Sequence, residues 1–212
     1  MFAAVPRRSA GGLTRNPSEL ANLIHGNAAS GVKMGQAFAR PNSQTFTIPP
    51  ILEFIHRHID TETMAIVDPY ARNSGLSGTA LTNDLDPSTS ARWHLRSDKF
   101  LEMVAGSNIL VDAVVYDPPY SPRQISECYK RSNIKCTQSD TQNSSLHARC
   151  RRHIHRILKP GGVVLSFGWN STGMGRQYTT KEILMVAHGG SHNDTICVAQ
   201  TRNPSDEKVV TA

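Results

Sequence analysis

The stretch Ile109-Leu-Val-Asp-Ala-Val-Val-Tyr116, running directly into Asp117-Pro118-Pro119-Tyr120, limits the fold more than any other part of the chain. Its near-continuous apolar character is that of a strand buried on both faces, which is the pattern of a parallel sheet covered by helices rather than a half-exposed hairpin. The two prolines lack backbone N–H groups, so the ladder must stop there. Other segments fit the same plan. Met64–Val67 reads as a short strand ending at Asp68-Pro69-Tyr70, and Thr79–Thr82 as a second ending at Asn83-Asp84-Leu85-Asp86-Pro87. A further strand is expected near Arg92–Leu95, with a helix through Phe100–Val104. Thr47 followed by Pro49-Pro50 and the apolar stripe Ile51, Phe54, Ile55, Ile59 predicts a capped amphipathic helix.

Residues 121–145 are polar and without period, which predicts a long loop or lid. A helix over His147–Leu158 should stop at Lys159-Pro160-Gly161-Gly162, followed by a strand at Val163–Phe167. Ile183–Ala187 and Thr195–Ala199 flank His188-Gly-Gly-Ser-His-Asn-Asp194 as a hairpin-like pair. Strands alternating with helices give an α/β fold with a mainly parallel sheet, helices on both faces and an antiparallel hairpin at the end. The expected organisation is a flexible basic N-terminal arm at 1–43, one domain at 44–202 and a C-terminal tail at 203–212.

Composition narrows the function. With 38% hydrophobic and 19% charged residues the chain has material for a core. It has no apolar run of about 18 residues for a membrane span, and no apolar leader, so a cytoplasmic setting is expected. Cys128, Cys136, Cys150 and Cys197 lack the spacing of a disulfide framework. The net charge of +6 is concentrated: residues 1–40 carry +4 and residues 121–159 carry +7, leaving −5 for the rest. An acidic body with two basic segments suits local contacts to an anionic polymer such as nucleic acid.

The chemistry-bearing residues fall at strand ends, where open α/β sheets bind ligands. Asp84 is placed to accept hydrogen bonds from both hydroxyls of a ribose, and Asp68-Pro69-Tyr70 to face an amino-acid moiety or a phosphate, the phosphate being disfavoured because no Gly-rich phosphate loop occurs. In Asp117-Pro118-Pro119-Tyr120, the acid and a proline carbonyl can both accept from one exocyclic NH2 group, and the aromatic ring can stack on a planar base. Holding both N–H bonds would draw the weakly nucleophilic nitrogen of an aromatic amine toward tetrahedral geometry and stabilise its developing positive charge.

In these ordered motifs the sequence resembles the S-adenosylmethionine-dependent DNA N6-adenine methyltransferases, in particular small orphan enzymes of phage and bacterial type with a DPPY motif. The resemblance covers roughly residues 44–202. Phe46-Thr47-Ile48-Pro49-Pro50 is similar to the N-terminal cofactor segment and Asp68-Pro69-Tyr70-Ala71 to the Asp-Pro-Phe cofactor motif. Asp84 matches the ribose-binding acid, and Asp117, Pro118, Pro119 and Tyr120 the catalytic motif. Asp98 stands for the acid near a third strand's end, with Arg96 in an alternative register, while Arg72 and Ser74 stand where the family's cofactor loop carries two glycines. The resemblance implies a Rossmann-like methyltransferase fold, with a seven-stranded sheet whose last strand is reversed. It also implies S-adenosylmethionine as cofactor and double-stranded DNA as partner, with the target adenine flipped from the duplex. Too few residues separate Asp68 from Asp117 for a separate target-recognition domain, so the lid and arm must supply most DNA contacts. Arg123, Lys130, Arg131 and Lys135 of the lid are the candidates, since Arg149, Arg151, Arg152 and Arg156 on the next helix point in several directions.

Other signals are bland. Cys128, Cys136, His147, Cys150, His153 and His155 match no zinc spacing, so no metal is expected. Gly173-Met-Gly175 reads as a loop, the His188–Asp194 segment as a turn, and Trp169 as a core or pocket-edge residue. The alternatives to DNA adenine methylation are N4-cytosine or RNA-base methylation, or a decayed scaffold that only binds nucleic acid.

Overall fold

A computed structural model of the chain describes residues 31–204, apart from 75, 77–79, 142, 143 and 191. Among these residues seven strands form one sheet: β1 (Lys33–Phe38), β2 (Ile66–Asp68), β3 (Leu81–Thr82), β4 (Val111–Tyr116), β5 (Leu158–Gly168), β6 (Tyr178–Ala187) and β7 (Thr195–Arg202). Their spatial order is β1-β6-β7-β5-β4-β2-β3. β7 runs antiparallel to both its neighbours and every other pairing is parallel. The α/β class, the reversed last strand and the helices on both faces are those implied by the sequence. The chain builds outward from β2 to β3, then crosses back to β4 beside β2, so the switch of direction falls between β2 and β4.

β4 is the hinge of the two cores. Ala113 and Val115 face one layer, in which Ile51, Phe54 and Ile55 of helix α1 (Pro49–His58) are completely buried. Val114 and Tyr116 face the other, packed with Phe100 and Leu101 of α2 (Ser97–Gly106) and Ile154 and Ile157 of α5 (Ser144–Ile157). Burial on alternate sides of one strand is why the run shows no polar positions except Asp112, whose carboxylate accepts from Lys159 Nζ at 2.6 Å. α5 passes directly into β5, and Lys159–Gly162 bulge out because the register jumps from Leu158 opposite Val111 to Val163 opposite Ala113. Gly161 takes a φ of +76° in that bulge.

Several expectations need correction. The arm was expected to be flexible through residue 43, yet β1 pairs along its length with β6, from Lys33 opposite Glu182 to Phe38 opposite Ala187. Buried Glu182 anchors it by accepting from Lys33, Arg57 and His58 at 3.3, 2.9 and 2.9 Å. The rest of the arm, at 1–30, and the tail beyond Pro204 lie outside the described residues. The lid is not irregular: residues 122–131 form helix α3 (Pro122–Arg131), followed by the single turn α4 (Gln138–Thr141). Ser121 and Gln124 close a reciprocal capping box around Pro122, while Ile125 and Tyr129, one turn apart, supply the apolar anchor. Thr47 does not cap α1. It belongs to a 3₁₀ turn, Thr45–Thr47, so Ile48 becomes the residue preceding the helix. The strand expected at Arg92–Leu95 reduces to one bridge between Asn83 and Trp93. The Asn83 side chain replaces a ladder there, donating to Leu95 O at 2.9 Å and accepting from Leu95 N at 2.9 Å. The count of seven is therefore reached with β1 in place of that strand.

Candidate functional site

Two hollows open at the carboxyl ends of β2 and β4, where the direction of chain build-up switches. The smaller, about 390 Å³, lies between the segment Gln44–Thr47 and the turn Tyr70–Ser74. The larger, about 720 Å³, runs from Asp84 and Asp86 past the prolines to Trp169 and His188. Asp117 lines both, as do Thr45, Tyr70, Arg72 and Asn73.

Asp117 leaves the ladder because Pro118 cannot extend it, and its carboxylate then turns into the junction. Tyr120 Oη donates to Asp117 Oδ1 at 3.1 Å, and the Thr45 hydroxyl donates to the same carboxylate. Burial pushes this carboxyl up to about 6, against the lowering effects of Thr45, Tyr120 and the Arg72 charge. Burial, and then the Asp117 charge, hold the Tyr120 phenol well above its ordinary value, so it remains a donor. Tyr120 N is fixed by Gln124 Oε1 at 2.9 Å, so the capping box of α3 also orients the aromatic ring. Gly168, at the end of β5, has the Tyr120 ring where a Cβ would stand: the added carbon would lie 2.7 Å from Cε1. Trp169 follows with its ring centroid 6.2 Å from that of Tyr120 and 47% of its surface exposed, forming the lip of the larger hollow.

Asp84 presents a carboxylate to the larger hollow. Arg72 N donates to Oδ2 at 3.0 Å and Asp86 N to Oδ1 at 2.9 Å. With one backbone partner on each oxygen, the carboxylate keeps two lone-pair positions for a vicinal diol. Of the other residues expected to touch a cofactor, Phe46 and Ala71 line the smaller hollow, Ile48 the larger, and Tyr70 both. Phe46 is set by its packing on Phe167, 5.1 Å between centroids.

Four expected cofactor residues line neither hollow. Asp68 is fully buried behind the wall, accepting from Tyr70 N and Ser74 Oγ at 3.1 Å each. Burial and then the Asp117 and Asp84 charges raise its carboxyl to about 7, and its two hydrogen bonds support the turn. Pro69 gives its carbonyl to Asn83 Nδ2 at 3.1 Å, and Pro49 opens α1. Asp98 sits in the first turn of α2, where it accepts from Arg96 at 2.6 Å and Arg149 at 3.0 Å. Although burial opposes it, the two guanidiniums hold that carboxyl below the usual carboxylate range. The alternative register, Arg96, is consumed in the same pair.

The four cations expected to meet nucleic acid divide. Arg131, at the end of α3, lines the larger hollow, whereas Lys130 and Lys135 are exposed and line neither hollow. Arg123 pairs with Glu127 at 2.9 Å on an open helix face. His188, expected to be an ordinary turn residue, lines the larger hollow, but both ring nitrogens are engaged, with Ala39 O at 2.8 Å and Thr195 Oγ1 at 2.9 Å. Thr45 and Gly168 had no signal as site residues. The one clue to Gly168 was its place directly after the buried strand expected at Val163–Phe167, two residues past Ser166, which pairs with Tyr116.

No family model and no curated protein matches the chain. Among solved structures it is similar to TrmN from Thermus thermophilus, at 16% identity and a TM-score of 0.46, over 73% of this chain and 49% of that one. It is also similar to YhhF from Escherichia coli, at 11% identity and a TM-score of 0.46, over 76% and 89% of the two chains. The N-methyltransferase NodS from Bradyrhizobium japonicum WM9 aligns at 12% identity and a TM-score of 0.36, over 88% and 94%. The chain thus spans about half the length of TrmN.

Proposed function

We propose that this protein transfers a methyl group from S-adenosylmethionine to N6 of an adenine flipped out of double-stranded DNA. The observation that carries the reading is the position of Asp117, a single carboxylate in the shared wall of two hollows, with Pro118, Pro119 and Tyr120 beside it. The residues present fit the cofactor: Asp84 retains capacity for a ribose diol, and Phe46, Tyr70 and Ala71 line an adjoining hollow for the amino-acid end. When bound, S-adenosylmethionine supplies a methyl group activated by its sulfonium.

Asp117 accepts one N–H of the exocyclic amine, and the Pro118 carbonyl accepts the other. The ionised carboxylate stabilises the positive charge that grows on the amine as its N–CH3 bond forms and the S–CH3 bond breaks to leave a neutral thioether. The alkylated amine then gives its surplus proton to Asp117 or to solvent. Tyr120 stacks on the flipped base, and Trp169 extends the aromatic wall toward the duplex. Arg131, Lys130 and Lys135 flank the opening and grip phosphates on either side of the flipped nucleotide.

Incubation with S-adenosylmethionine and a mixture of DNA and RNA, followed by nucleoside mass spectrometry, tests the reading. N6-methyladenine in DNA is the expected product. Methylation confined to RNA, or N4-methylcytosine, would overturn the substrate, and no methylated nucleoside at all would overturn the reaction.

A further inference from the structure

Among the described residues three non-glycines take left-handed backbone angles: Asn108 at +56°, Asn133 at +54° and Arg72 at +49°. Asparagine tolerates this region, whereas for arginine it is strained. Arg72 is held there from two sides. Its N–H donates to Asp84, and its guanidinium reaches across to donate to the carbonyl of Ser43. That crossing places it in the walls of both hollows, and among the described residues it is the one Lys or Arg lining the smaller. Backbone strain persists where the surroundings enforce it, and such outliers gather at ligand sites.

The order of the site residues then assigns the ends of the cofactor. With the ribose on Asp84 in the larger hollow and the reacting centre at Asp117 in the junction, the amino-acid end occupies the smaller hollow. A carboxylate entering that mostly apolar space needs a cationic partner, and a guanidinium offers it a planar pair of donors. A glycine at position 72 would make the same turn without strain but would bring no charge. We propose that Arg72 binds the carboxylate of the cofactor's amino-acid end in the smaller hollow, an inference that rests on the methyl-donor reading above. The strained turn aims the guanidinium, and the bond from its own N–H to Asp84 ties carboxylate recognition to ribose recognition through one residue.

Calorimetry without DNA, comparing S-adenosylmethionine with its decarboxylated analogue, tests this on the full chain. The wild type should prefer S-adenosylmethionine by on the order of 10- to 100-fold, the range of charge-assisted hydrogen bonds. Arg72→Gly, which suits the left-handed turn, should bind the two ligands alike. Arg72→Lys should recover part of the preference. If Arg72→Gly keeps the wild-type preference, another group such as His56 holds the carboxylate and the inference falls while the cofactor reading stands. If Arg72→Gly weakens both ligands equally, Arg72 only shapes the turn, and the inference again falls. A wild type that binds neither ligand would overturn the cofactor reading together with the inference.

Discussion

Asp117 is asked to be a carboxylate in a place that favours its acid form. Burial raises it to about 6, so the ionised acceptor is present near neutrality and is lost as pH falls through that value. Single-turnover methylation should therefore fall away below about pH 6, with S-adenosylmethionine binding monitored separately. Asp117→Ala should lower turnover by about 100-fold or more with the fold retained by circular dichroism, and wild-type turnover would contradict the assigned role. Gly168→Ala acts on the same group indirectly. The new methyl would meet the Tyr120 ring at 2.7 Å and push the hydroxyl away from Asp117, so turnover should drop with the fold retained by circular dichroism. Little of this was legible in sequence. Asp117 and Tyr120 announced themselves by type and order, but Thr45 and Gly168 matter only because separate elements bring them against that pair. The φ of Arg72 is likewise imposed by Asp84 and Ser43, neither of which neighbours it in sequence.

At the level of elements, β4 was legible because burial on both faces and an abrupt proline stop are written into its residues. β1 was not. Lys33-Met-Gly-Gln-Ala-Phe38 has no β-branched residue, and Met34 and Phe38 remain 75% and 72% exposed, so its strand state is conferred by β6. α3 lay between: its low apolar content hid the helix, although Ser121-Pro122-x-Gln124 is a helix-start signature. As a helix, α3 presents Lys130 and Arg131 of its last turn as a fixed pair, with Lys135 four residues beyond its end. Neutralising Lys130, Arg131 and Lys135 together should weaken DNA binding and flatten its salt dependence, by up to about 0.9 log unit of slope per lost phosphate contact. Fluorescence titrations at several salt concentrations would measure this, and an unchanged slope would remove α3 from the interface.

For the whole molecule, the buried acids set how stability responds to pH. Asp68 and Asp117 have carboxyls raised to about 7 and about 6, above the unfolded value of 3.8, so the native state holds extra protons between these limits. Their contribution is fully present below the unfolded value and is lost as pH rises through the folded ones. Burial holds the His147 and His153 imidazoles below their ordinary value, which favours the fold as pH rises, so the effect of the acids is isolated by mutation. Asp68→Asn, which can still pair with Tyr70 N and Ser74 Oγ, should raise the urea midpoint at pH 8 more than at pH 5. The two hollows that meet at Asp117 carry a consequence for the order of events. On the reading above the cofactor spans both, with its ribose at Asp84 and its amino-acid end in the smaller hollow, so the flipped base takes the part of the larger hollow between Asp117 and Trp169. Donor and acceptor then lie side by side and react only once both are seated, so initial-rate lines at varied concentrations of the two should intersect rather than run parallel.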